Sequence, residues 1–133
     1  MASKVHQFLL GLLIKKVRLA GYRIFFLEGK FVEENQLPIP PKILRHRPDA
    51  LGISVYGQVC ICESKTNHDI NTNRTKEQLI DFSNIELNGF LCEVFIAIPK
   101  SAEYVLNKVL RDIKLYKKNN IFILKVPDEI INE

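Results

Sequence analysis

The chain has no tryptophan, one methionine and only six glycines and six prolines. So little glycine and proline excludes a collagen-like or low-complexity polymer, and no internal repeat suggests a solenoid. No apolar run approaches the ~20 residues needed to span a bilayer as a helix. The N-terminus lacks the uninterrupted apolar stretch and small-residue cleavage site of a signal peptide, since Lys4 precedes an amphipathic pattern. An intracellular, cytoplasmic protein without a membrane role is expected. Cysteine is scarce and odd in number, at three, and no pair has metal-ligand spacing with histidines. Cys60 and Cys62 share one face of a strand and point in parallel, a poor geometry for a disulfide. All three read as buried, reduced thiols.

Acidic residues are outnumbered, 15 against 19 Lys and Arg, for a net charge of +4 and a pI near 9.0. That mild excess makes a polyanionic partner more plausible without establishing one. The 133 residues, 47% hydrophobic and 26% charged, suit one globular domain with one core. We expect a single domain over 1–133, with a core over 3–98, a helix-strand extension over 99–126 and a short tail over 127–133.

Ser3 can cap a first helix in which Val5, Phe8, Leu9, Leu12, Leu13 and Val17 make an apolar face, with Gly21 as its stop. The run 22–34 reads as a strand with a break near Gly29. Pro38, Pro40 and Pro41 stiffen the loop over 34–47. Residues 66–74 are polar and form a second loop. The Thr75–Gln78 spacing suggests a capping box opening a second helix with Leu79, Ile80 and Phe82 in its apolar set. The run 90–98 is apolar enough for a strand buried on both faces. Ser101 can cap a third helix with Val105, Val109, Ile113 and Tyr116 on its core face, before a last strand over 121–126. The order αβββαβαβ predicts an α/β fold with a central mixed sheet flanked by helices.

Between Arg47 and Lys65 lie two strand-like runs joined at Gly57, with Asp49 opening the first and Glu63 and Lys65 closing the second. A three-residue loop, Val55-Tyr56-Gly57 with Gly57 left-handed, would set Ser54 against Gln58 and Asp49 against Glu63. Opposed residues share a face with β-carbons about 5 Å apart. A loop shorter by one residue would send Asp49 to the other face. Two carboxylates so placed repel one another unless a hard divalent cation such as Mg²⁺ sits between them. Lys65, two residues from Glu63 on the same face, adds a donor for a water or a phosphate oxygen. Together these residues form a minimal phosphodiester-hydrolysing centre. Taken singly they also fit solvated strand ends.

Pro48-Asp49 followed by Glu63-Ser64-Lys65 resembles the signature of the PD-(D/E)XK nucleases, whose restriction-endonuclease-like fold has the same order of elements over residues 3–98. The resemblance implies that Asp49, Glu63 and the backbone carbonyl of Ser64 hold Mg²⁺, with Mn²⁺ as a substitute, and that Lys65 positions the attacking water. Gln78 and Phe82 resemble the glutamine–x₃–tyrosine element of the RecB-like branch, with phenylalanine for tyrosine, which would bring Gln78 to the site. Many members carry an acid early on the first helix, where this chain offers His6 and Gln7. His6 could approach the site but reads more simply as a surface residue, and Glu28 is another possible acid that reads more simply as a solvated strand end. Lys42, Arg45, His46 and Arg47 before Asp49, and Arg74 and Lys76 at the second helix, are the candidate phosphate contacts. The implied activity is Mg²⁺-dependent endonucleolytic cleavage of nucleic acid, DNA before RNA, in a homodimer or larger complex. The alternative is a nucleic-acid-binding or assembly subunit with the same fold and no turnover.

Overall fold

The computed structural model describes residues 3–28 and 37–131. The expected strand break at Gly29 and the end of that run lie outside the described residues. Helix α1 (Lys4–Leu19) is followed by strands β1 (Tyr22–Leu27), β2 (Ala50–Ser54) and β3 (Val59–Ser64), then by helix α2 (Asn73–Asn84). A small hairpin of β4 (Glu86–Leu87) and β5 (Phe90–Leu91) precedes β6 (Glu93–Pro99), α3 (Glu103–Asp112) and β7 (Ile121–Val126). The five long strands form one sheet in the order β1-β2-β3-β6-β7. β1, β2 and β3 run antiparallel, whereas β3, β6 and β7 are parallel. The fold is therefore α/β, a mixed sheet flanked by helices in the order expected of a restriction-endonuclease-like chain. The β4–β5 hairpin is an addition. It splits the expected 90–98 strand at Cys92, whose backbone N–H turns aside to Ile85.

Alternation along β3 divides the core in two. Cys60 and Cys62 pack under α1 with Leu9, Leu10, Leu13, Ile14 and Val17. Ile61, on the opposite face, packs with Leu79 and Phe82 of α2 and Leu106, Val109 and Leu110 of α3. All three cysteines are free and buried, and burial pushes the Cys92 thiol up to about 11, which keeps it protonated and inert.

The expected helix faces need correction. In α1 the buried stripe is turned toward Leu10 and Ile14, while Phe8 is 38% exposed. Apolar residues flank the true stripe on both sides, so periodicity alone does not choose between them. In α2 the N-cap is Thr72, whose hydroxyl accepts the Thr75 N–H at 3.1 Å, so Thr75 lies inside the helix and Ile80 faces outward. In α3 the buried residues are Leu106, Val109 and Leu110, while Tyr116 lies beyond the helix, substantially exposed. Ser101 is no cap. Its N–H and hydroxyl both donate to Asp128, at 2.8 and 2.5 Å, tying the start of a 3₁₀ turn to the segment after β7.

Gly52 sits where β1 slips register against β2, between Ile24 and Phe26. A β-carbon there would stand 2.8 Å from the Arg23 carbonyl and 3.0 Å from Cys60 Sγ. Gly52→Ala should therefore cost about 1–3 kcal/mol, read as a lower denaturation midpoint with an unchanged m-value.

Candidate active site

The site begins with the turn of the β2–β3 hairpin. Gly57 has φ +89°, and the Ser54 N–H donates to Gln58 O at 2.9 Å, closing the three-residue loop the sequence predicts. Ladder pairs run Ile53–Val59, Gly52–Cys60, Leu51–Ile61 and Ala50–Cys62, and one further step sets Asp49 opposite Glu63. The Asp49 N–H donates to Glu63 Oε2 at 2.8 Å, and both residues line the same cleft.

Glu63 is only 3% exposed. Burial raises its carboxyl pKa and the Asp49 charge adds to this, while Lys65 and the Asp49 N–H oppose it; the result is a rise from 4.5 to about 8. A nearly inaccessible acid beside a second acid lacks sufficient positive charge nearby. Lys65 Nζ stands 3.5 Å from Glu63 Oε1 and donates to Gln78 Oε1 at 2.5 Å. With Thr72 as the cap, Gln78 lies well inside α2 and has no N-terminal N–H to serve. Its side chain is directed at the lysine instead.

The N-terminus of α1 closes the other side. Ser3 Oγ accepts the His6 N–H at 3.1 Å, and this cap holds His6 at the first turn. His6 Nε2 lies 3.1 Å from Asp49 Oδ2, with both side chains 16% exposed. Burial alone would lower the His6 pKa, but its hydrogen bond to Asp49 and that residue's charge outweigh it, and the pKa is raised above 6.5. His6 is thus no surface histidine. The sequence carried a signal for it, a capped helix start at the position where the resembling family places an acid. Ser64 adds two bonds: its N–H donates to Asp49 Oδ2 at 2.9 Å, and its hydroxyl to the His6 carbonyl at 2.9 Å. The Lys65 N–H binds Ala97 O on β6, and the Ser64 carbonyl of the same trans peptide points the opposite way, toward the Asp49 edge of β3.

The cleft has a volume near 940 Å³. Arg47 and Arg74 line it, while Lys42, Arg45, His46 and Lys76 do not. Arg45 makes a two-pronged bond to Asp81, Nε to Oδ2 at 3.0 Å and Nη2 to Oδ1 at 2.8 Å. That bond holds the Asp81 carboxyl below its usual range. His46 is buried against Glu77, 3.4 Å away, and edge-on to Phe82. The expected phosphate contacts at Arg45 and His46 give way to a loop-to-helix junction, because carboxylates on α2 bind Arg45 and lie beside His46. Nor is the cleft uniformly basic. Glu28, Asp49, Glu63, Asp69 and Asp128 line it against Arg47, Lys65 and Arg74.

Among the described residues, no group of three or more His, Cys, Asp or Glu side chains is arranged to hold a metal ion. Two carboxylates, a backbone carbonyl and waters still fit Mg²⁺, which keeps much of its hydration and takes one or two protein carboxylates. The under-compensated Glu63 is what such an ion would relieve. No helix among the described residues is long and apolar enough to cross a membrane.

No protein-family model matches the chain, and no curated protein matches it significantly. Among solved structures it is similar to a repair endonuclease from Pyrococcus abyssi, at 15% identity and a TM-score of 0.45. That likeness covers 96% of this chain and 48% of the other, so the chain spans about half of that protein's length. That likeness is too distant to assign family or activity.

Proposed function

We propose that this protein is a Mg²⁺-dependent nuclease that hydrolyses phosphodiester bonds within DNA. The observation carrying the proposal is the buried Glu63 carboxylate opposite Asp49, with Lys65 held between Glu63 and Gln78. Asp49, Glu63 and the Ser64 carbonyl would hold the cation. When bound, it supplies positive charge to the scissile phosphate and acidifies a water. Lys65 would orient that water and stabilise charge building on the phosphate. Gln78 takes one of the lysine's donors and so fixes the direction of the others. Arg47 and Arg74, which both line the cleft, would bind flanking phosphates.

Binding should depend on the metal, because Glu28, Asp49, Asp69 and Asp128, besides the buried Glu63, line a cleft with three full cations. Without a divalent ion the floor repels DNA. Ca²⁺, which occupies oxygen sites without supporting the reaction, should tighten duplex binding relative to EDTA. Arg47→Ala and Arg74→Ala should each weaken that binding and make its log-log salt dependence shallower by about 0.9. Lys42→Ala and Lys76→Ala should leave the slope unchanged. Equal slopes for all four variants would contradict the assigned phosphate path. One such site cuts one strand, so a homodimer would be needed for paired cuts. Sedimentation with and without DNA tests this.

A second reading, a binding or assembly subunit without turnover, is favoured by one observation. Asp49 Oδ2 already receives Ser64 N–H and lies against His6, so a cation must compete for it. Nicking of supercoiled plasmid with Mg²⁺ or Mn²⁺ separates the two readings. Metal-independent binding without cutting, across duplex, branched and single-stranded substrates, would support the subunit.

A further inference from the structure

We infer that Arg45 and Asp81, with His46 and Glu77 beside them, are positioning residues that hold the two halves of the site in register. The inference rests on the nuclease reading above and adds a role for residues that touch neither substrate nor metal. The site is assembled from the hairpin, which brings Asp49, Glu63 and Lys65, and from α2, which brings Gln78. Leu79 and Phe82 anchor α2 in the core with Ile61, and that apolar contact is non-directional. The 43–46 turn adds a directional tie that fixes where Gln78 falls relative to Lys65.

That turn is narrow and itself constrained. Ile43 and His46 pair through N–H to O bonds of 2.7 and 3.2 Å, and Leu44 between them has φ +58°, a left-handed conformation unusual for leucine. A strained turn persists where surrounding contacts over-determine it. Here they come from one side of α2: Asp81 takes the Arg45 fork, Glu77 lies near both Arg45 and His46, and Phe82 meets the His46 ring. Glu77 and Asp81 flank Gln78 in the sequence, and three residues after His46 the chain reaches Asp49. One planar, two-pronged bond thus clamps the segment entering Asp49 to the helix turn carrying Gln78. A guanidinium–carboxylate fork resists rotation as a single-point contact does not.

The test is a double-mutant cycle on Mg²⁺-dependent cleavage of an oligonucleotide duplex, with Arg45→Ala, Asp81→Ala and the double variant. Arg45→Lys and Asp81→Asn serve as milder changes, and Lys125→Gln, which removes a distant surface pair with Glu103, is the control. Each clamp variant should lower kcat about tenfold with KM within about twofold, the signature of displaced reacting groups. The double variant should fall no further than the worse single one, because both remove the same bond. The salt slope of binding should not change. Additive losses, an unchanged kcat, or weaker binding with a shallower slope at Arg45→Ala would overturn the clamp, the last making Arg45 a phosphate ligand. A readout independent of turnover separates this failure from failure of the nuclease reading. In NMR spectra, the Gln78 side-chain amide should shift in Asp81→Asn and not in Lys125→Gln. If the wild type does not cut, the nuclease reading fails and that signal alone decides the clamp, a stationary amide overturning it.

Discussion

Asp49→Ala should abolish Mg²⁺-dependent plasmid nicking, lowering the rate by about 10³-fold or more, the equivalent of roughly 4 kcal/mol of transition-state stabilisation. Lys65→Ala should cost about 10²–10³-fold. The two differ in kind. Asp49 is proposed to hold the cation and accepts the Ser64 N–H, so its loss should raise the Mg²⁺ concentration needed for any residual cutting. Lys65 holds no metal in this reading. Its loss should leave the metal requirement near the wild-type value and depress the rate at saturation. Gln78→Ala should resemble a weaker Lys65→Ala, since it frees the lysine to rotate without removing its charge. Nicking rates measured across a Mg²⁺ titration, with circular dichroism to verify folding, resolve these patterns. Cleavage unchanged by both Asp49→Ala and Lys65→Ala would end the site assignment.

The order of elements, the mixed sheet and the pairing of Asp49 with Glu63 were legible because they depend on short-range chemistry. Gly57 selects the turn, the turn selects the register, and the register selects the face. The sequence leaves His6 undecided because its approach to Asp49, 43 positions away, depends on how α1 docks across the sheet. The α1 stripe is ambiguous in the sequence for the same reason, since Leu10 and Ile14 are chosen over Phe8 by the surface they meet. In the sequence Arg45 and His46 read as phosphate contacts because their partners, Glu77 and Asp81, lie on a helix more than 30 residues later. Gln78 shows an ambiguity that resolves only in space. Its spacing from Thr75 fits a capping box, but Thr72 holds the cap and the glutamine is free to meet Lys65.

Glu63→Gln should abolish cutting and, in EDTA at pH 8, make the protein more stable than the wild type. Burial, with Asp49 adding, raises the folded-state pKa of Glu63 from 4.5 to about 8. Between those values the folded chain binds a proton that the unfolded chain has released. Stability is therefore fully present below about pH 4.5 and is lost as the pH rises through about 8. For so buried a group the loss is on the order of 2–4 kcal/mol. A glutamine keeps an oxygen for the Asp49 N–H and cannot ionise, so the variant should lack this decline. Near pH 5 the two proteins should melt within a few degrees of each other, and by pH 8 the variant should be higher by roughly 5–15 °C. Mg²⁺ should then raise the midpoint of the wild type and that of the variant much less, because the variant has lost one of the two carboxylates that would hold the ion. Thermal melts at the two pH values, each with EDTA or Mg²⁺, give the four comparisons. A wild-type midpoint insensitive to Mg²⁺ at pH 8 would mean that the buried acid serves something other than a cation, and the proposed hydrolysis would lose its support.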